Sequence, residues 1–321
     1  MAGLLAVVTG AAAIVVTASP AYAAGAPTIV GMPGAGVGGV GSTLGGTTVL
    51  INGTNFSTVN TTVPESVTFG GVRAVSFIVF SSTQLSAVAP ANAVDGAVVD
   101  VRITNSVGTS AVTVADRFTY RAPITATVAA DTLLNPAGGG QFPVTIDLPV
   151  SSADDLVAKN LTATIAGFPA PVGWVSANSV THSSVLSLTI PAGTPSATPV
   201  PVVVYRDTVP GIPDDTNARY AAVITSLSVQ SGPVAGDPTA TVLVTGKGLA
   251  DSTQWQFGAV DASCAATSAE LADTSWTCTS VPPAPVSTVG PYAGPVAVTF
   301  VSATGPFGYS PGGIYTYTDL H

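Results

Sequence analysis

Four short segments of this chain occur twice, in the same order, with roughly 190 residues between the copies. Thr48-Val49-Leu50-Ile51-Asn52-Gly53-Thr54-Asn55-Phe56 returns as Thr241-Val242-Leu243-Val244-Thr245-Gly246-Lys247-Gly248-Leu249. Val67-Thr68-Phe69-Gly70-Gly71-Val72 returns as Trp255-Gln256-Phe257-Gly258-Ala259-Val260, and Gly96–Ile103 as Gly294–Phe300. Both copies close on an aromatic pair, Phe118-Thr119-Tyr120 and Tyr315-Thr316-Tyr317. Repetition that preserves order means that one structural unit is built at least twice. Each segment also has the physics of a strand. In Val99-Asp100-Val101-Arg102-Ile103-Thr104 apolar and polar side chains alternate, so one face is buried and the other wet; Val296, Val298 and Phe300 repeat the pattern. Short strands, bounded by Gly, Pro, Asn and Ser turns about ten residues apart, point to β-sandwiches.

Composition agrees. Only 8% of the 321 residues are charged, against roughly 25% in an average soluble protein. Small and β-branched residues fill the gap, and the helix formers Lys and Glu occur only as Lys159, Lys247, Glu65 and Glu270. The formal charge is −9, and the eight basic residues are scattered singly. Neither nucleic acid nor an anionic lipid surface is an expected partner, because both need clustered cations.

These motifs resemble the IPT/TIG family of immunoglobulin-like domains. The order of that pattern appears as Pro27, Gly45-Gly46-Thr47, Gly53-Thr54-Asn55-Phe56, Phe69-Gly70-Gly71, Ala89-Pro90 and Phe118-Thr119-Tyr120. Residues 27–121 match well. Residues 224–318 match less closely, with Gly236-Asp237-Pro238 in place of Gly-Gly-Thr and Gly248-Leu249 in place of Asn-Phe. The resemblance implies an all-β fold of tandem immunoglobulin-like β-sandwiches. The stretch 123–222 has diverged: it keeps Pro136–Ile146 and the Pro-terminated Leu186–Pro191, but lacks a Phe-Gly-Gly turn. It reads as a third sandwich, with a long structured linker as the alternative. The Gly-rich stretch 31–46 is expected to be a flexible insertion or an ordered surface loop.

An apolar run, Leu4–Val16, is followed by Ala21-Tyr22-Ala23, the small-x-small pattern of a signal-peptide cleavage site. Residues 1–23 are therefore expected to be a secretory signal, the alternatives being a buried strand or an uncleaved anchor. No Lys or Arg precedes the run, which leaves open whether Met1 is the true start. The chain is expected to be secreted, and either released or held at a surface by contacts, with no membrane insertion after cleavage.

Cys264 and Cys278 are the only cysteines. The resemblance implies a cross-strand disulfide between them, and an exported chain with an even cysteine count agrees. Catalytic signals are sparse. His182 sits in an expected turn, His321 is terminal, and no Gly-x-Ser-x-Gly elbow occurs. The run Arg206–Asp215 is expected to be a long loop whose Asp207, Asp214 and Asp215 would either collect a Ca²⁺ ion or form a solvated acidic loop capped by Arg206 and Arg219. Apart from that Ca²⁺, no cofactor is expected. Trp174 would either stack on a sugar from an edge strand or pack in a core. Gly34–Gly39 lacks the strand-to-helix context of a nucleotide loop, and the sequons at Asn52, Asn55, Asn60 and Asn160 are expected by chance in a Thr-rich chain.

The expected function is a non-catalytic secreted or cell-surface structural or adhesive protein of bacterial origin. It would bind other proteins, the envelope or further copies of itself. A non-catalytic carbohydrate-binding module taking polysaccharide is the alternative, and an enzyme is not expected.

Overall fold

The computed structural model describes residues 25–33, 39–136, 138–196, 198–250, 252–287, 290–291, 293–302, 305–306 and 311–318. The expected signal segment, Gly34–Gly38 and His321 lie outside them. Among the described residues the chain is all-β, a series of immunoglobulin-like sandwiches with one short helix, Ala153–Ala158, and a few single 3₁₀ turns. It forms two compact units. One takes described residues within 1–38, 48–89 and 99–117, the other those within 39–47, 90–98 and 118–321.

In the first unit, Thr28–Gly31, Thr48–Thr54, Gln84–Val88 and Ser76–Val79 form one antiparallel sheet in that order. Val67–Phe69 pairs with Val72–Arg73 on one side and with residues 101–103 on the other. The period-two pattern read from the sequence is realised: Val49 and Ile51 point inward beside Leu85, Phe69, Val101 and Ile103, all buried.

In the second unit, the middle stretch has its own sheets. One is Ala126–Thr127, Gln141–Ile146, Ser183–Thr189 and Val172–Asn178; the other is Phe168–Pro169, Leu161–Ile165, Val202–Arg206 and Val209–Pro210. Between them lies a continuous core that includes Val144, Ile165, Leu186, Leu188, Val202, Val204 and Tyr220. The last stretch repeats the plan. Val223–Leu227, Val242–Lys247, Ser275–Cys278 and Cys264–Ala266 form one sheet, and Ile314–Thr318, Gly294–Ser302 and Ser252–Phe257 run side by side in the other. Val242, Val244, Trp255, Phe257, Phe300, Tyr315 and Tyr317 fill its separate core.

The turn that the middle stretch lacked in sequence is present in structure. Phe69 and Val72 face each other across Gly70-Gly71, whose φ angles are 57° and 84°. Ile165 and Phe168 face each other across Ala166-Gly167, with φ of 53° and 82°. Two successive positive φ values make the tight hairpin turn whose twist matches the strands. Alanine takes this conformation at a cost, which hides the motif from a search for Gly-Gly. Ala166→Gly is therefore expected to stabilise the protein by up to about 1 kcal/mol, measurable by urea denaturation; a loss of stability would contradict this account of the turn.

A second device recurs three times in the second unit. A short strand pairs in parallel with a tyrosine-bearing strand: Gly39–Ser42 with residues 118–121, Thr132–Leu134 with Ala218–Tyr220, and Ser231–Pro233 with residues 316–318. The expected flexible insertion thus ends in an ordered strand, and Gly41 is needed there because a Cβ would come within 2.5 Å of the Phe118 ring. The hydroxyls of Tyr120, Tyr220 and Tyr317 donate to the carbonyls of Pro90, Pro191 and Pro282 at 3.0, 2.9 and 2.7 Å. Burial pushes all three hydroxyls above the usual phenol range, Tyr317 to about 12 with Tyr315 adding to it; they stay protonated donors. Tyr220→Phe is expected to cost about 1 kcal/mol by leaving the Pro191 carbonyl without its donor, again read from urea denaturation. An unchanged midpoint would remove this bond from the account.

Candidate functional site

The expected long acidic loop is a hairpin. Arg206 faces Val209 across Asp207 and Thr208, both in the left-handed region with φ of 51° and 71°. This turn holds the Asp207 carboxylate 2.7 Å from Nε of Arg121. A second pair lies alongside in sequence: Arg206 Nη1 meets Oδ2 of Asp95 at 2.9 Å, and the other Asp95 oxygen accepts the Ala122 amide at 2.9 Å. Arg206 thus serves Asp95 rather than capping its own loop. Arg219 lies 3.8 Å from Asp131. Both pairs tie the 95–122 segment to the hairpin within the second unit. Farther along, Lys247 Nζ donates to the Pro136 carbonyl at 2.9 Å.

Asp214 has a different occupation. Its carboxylate is buried and accepts the amides of Val128, Thr216 and Asn217 and the side-chain amide of Asn217 at 2.8–3.2 Å. Asp215 is exposed. Asp207 is therefore held by an arginine and Asp214 by loop donors. Among the described residues no group of three or more His, Cys, Asp or Glu side chains is placed to hold a metal ion. The acidic pair Asp154-Asp155 opens the short helix, where Ser152 Oγ accepts the Asp155 amide at 3.1 Å and Lys159 pairs with Asp155.

The electrostatics of the Asp95 carboxylate have a definite sign. Burial raises the Asp95 pKa, but the Ala122 amide and Arg206 outweigh it and hold the carboxyl below its usual 3.8. A depressed carboxyl stabilises the fold above its unfolded value and stops doing so as pH falls through its folded one. Its pair is partly exposed, so its contribution is small. Asp95→Asn is expected to cost up to about 1 kcal/mol at neutral pH in low salt and nothing well below pH 3.8. Thermal melts across pH and salt test this, and a cost that persists in acid would contradict it.

Trp174 lies on Val172–Asn178, the end strand of its sheet, and 37% of its surface is exposed. Its Nε1 donates to the Val150 carbonyl at 2.7 Å, which fixes the indole with one side to solvent. His182 occupies a turn with φ of 53°. Asn178 Oδ1 accepts the Val180 and Thr181 amides there. Cys264 and Cys278 form a disulfide between facing residues of two adjacent strands. Trp276, two residues before Cys278, stacks on Trp255 at 5.3 Å, and Trp255 on Phe300 at 4.9 Å.

The family model described as the IPT/TIG domain matches residues 39–120, the segment bearing Gly45-Gly46-Thr47, Phe69-Gly70-Gly71 and the Tyr120 bond to Pro90. The chain carries an IPT/TIG domain. Across most of the chain the likenesses are structural and distant. The plexin A4 full extracellular region is 17% identical with a TM-score of 0.36, covering 86% of this chain and 23% of its own. The mixed-linkage glucan utilization locus SGBP-B of Bacteroides ovatus, in complex with mixed-linkage heptasaccharide, is 12% identical with a TM-score of 0.24, covering 92% and 70%. The I9–I11 tandem of titin is 9% identical with a TM-score of 0.21, covering 88% and 95%. This chain thus spans about a quarter of the plexin A4 chain. None of the curated proteins compared with it matches. Among the described residues no helix is long and apolar enough to cross a membrane.

Proposed function

We propose that the protein is a non-catalytic, secreted or surface-held scaffold of a bacterial cell. After a signal peptide at 1–23, three sandwiches at 27–121, 123–222 and 224–318 would act as a semi-rigid spacer. Their loops and edges would contact other proteins or the envelope. The observation that carries this reading is the pair of ion pairs, Arg121 with Asp207 and Arg206 with Asp95. They use arginines at a strand end of one sandwich and at a hairpin of the next, as a spacer needs at its joints. The test is co-sedimentation of the full chain with envelope preparations. Saturable binding that leaves envelope polymers uncleaved is expected; no binding, or turnover of the polymer, overturns the reading.

The half-exposed indole of Trp174 on an edge strand favours a second reading, a carbohydrate-binding module. In native gels containing soluble polysaccharides, that reading expects retardation that Trp174→Ala abolishes. Retardation unchanged in the variant would rule out this ring as the sugar platform.

A further inference from the structure

Each sandwich ends one of its sheets in an edge strand at the same place in the strand order: Ser76–Val79, Val172–Asn178 and Cys264–Ala266. An edge strand offers unpaired amides and carbonyls to any passing strand, and proteins blunt it by bulges, charges, proline or shortness. Two of the three are blunted. The middle edge carries a register break between Trp174 and Ser176. The last edge has three residues and is bonded to its neighbour through Cys264 and Cys278.

The first edge has none of these guards. Ser76, Phe77, Ile78 and Val79 face Val88, Ala87, Ser86 and Leu85 in unbroken register. The Val75 amide, bonded to the Val88 carbonyl, and the Phe80 amide, bonded to that of Gln84, extend the pairing at both ends. Among the described residues nothing pairs with its outer side. Val75, Ile78 and Phe80 are 68%, 60% and 58% exposed. Five of the six residues Val75–Phe80 have high strand propensity, and none of the six is proline or glycine.

We propose that this edge pairs with the same edge of a second copy, antiparallel about a twofold axis, joining two four-stranded sheets into one. Charge selects that occupant. The chain carries −9 overall, so two copies repel over most of their surface, yet no charged residue occurs from Ala74 to Val94. With Val79 on the twofold axis, antiparallel pairing of the segment with itself also sets Ile78 of each copy against Phe80 of the other on one face, and Val79 against Val79 on the other. Pairing about a twofold closes at the dimer. The proposal rests on the scaffold role above and names its contact between copies.

The test is sedimentation velocity of the full chain over a micromolar concentration series. The wild type is compared with the double variants Ile78→Lys/Phe80→Lys and Ile78→Asp/Phe80→Asp. Both positions are exposed, so the variants should fold, and circular dichroism verifies it. The wild type is expected to dimerise with rising concentration. Each variant alone should dimerise about tenfold more weakly or worse, because like charges then face each other, and an equimolar mixture of the two should restore the dimer. A monomeric wild type overturns the proposal, as does a dimer indifferent to the lysines, open-ended growth, or a mixture that fails to recover. Envelope co-sedimentation separates the two ideas: a monomer that still binds envelope sinks only the self-pairing, and a rescued dimer that binds none sinks only the envelope role.

Discussion

Asp214→Ala is expected to destabilise the middle sandwich by about 3 kcal/mol, among the largest effects of any single polar substitution in this chain. Asp214 is 8% exposed. One oxygen takes the Val128 amide at 2.8 Å and Asn217 Nδ2 at 2.9 Å; the other takes the amides of Thr216 and Asn217 at 3.2 and 3.1 Å. It thus binds its own turn and also fastens that turn to the strand region at Val128, 86 residues away. Removing it leaves several buried donors without an acceptor, and each charge-assisted bond is worth about 1.5–3 kcal/mol before the freed groups recover water. Burial raises the pKa of this carboxyl, but the Asn217 side chain and the three amides outweigh that and bring it below 3.8. The part of its contribution that depends on ionisation is present above that pH and lost as pH falls further. In urea, the midpoint of the Asp214→Ala variant should drop sharply at pH 7, and the gap from the wild type should narrow in acid. A drop of less than 1 kcal/mol at neutral pH would show that the turn is held by something else.

The second large effect belongs to the last sandwich. Replacing both Cys264 and Cys278 with alanine is expected to cost about 3 kcal/mol. The bond closes a separation of 14 residues, and most of its effect in the chain-entropy view lies in the unfolded state. Cys278 is also fully buried in the core that holds Trp255 and Trp276, so the fluorescence of those rings reports the transition directly. The emission transition should move to lower urea in the double variant and in the reduced wild type alike. A shift in the variant without one on reduction would assign the loss to packing instead of the cross-link.

Much of this architecture could be read from the residues, because strand periodicity and glycine turns are local. Thr48–Asn52 and Val99–Ile103 announce their buried faces by alternation, and Gly70-Gly71 announces its hairpin. The middle sandwich was obscured where the same backbone is built from other residues: Ala166-Gly167 takes the place of Gly-Gly, and Ala218-Arg219-Tyr220 that of Phe-x-Tyr. The acidic run was legible as acidic but not as a hairpin, since Asp207 and Thr208 adopt a left-handed turn that threonine rarely takes. The partners Arg121 and Asp207 lie 86 positions apart, and no spacing rule links them. The open edge at Ser76–Val79 emerges only when the three sheets are compared, because exposure of an edge is a property of strand order, not of the strand.

The middle and last sandwiches each hold their own core, and hydrogen exchange of the wild type and Asp214→Ala tests most directly whether each core also unfolds on its own. Amide protection should fall in peptides from 124–220, where Asp214 anchors the core, and remain unchanged in peptides from 222–317. Loss of protection spread evenly over both stretches would mean that they unfold as one body, and would contradict a chain of separately folded sandwiches.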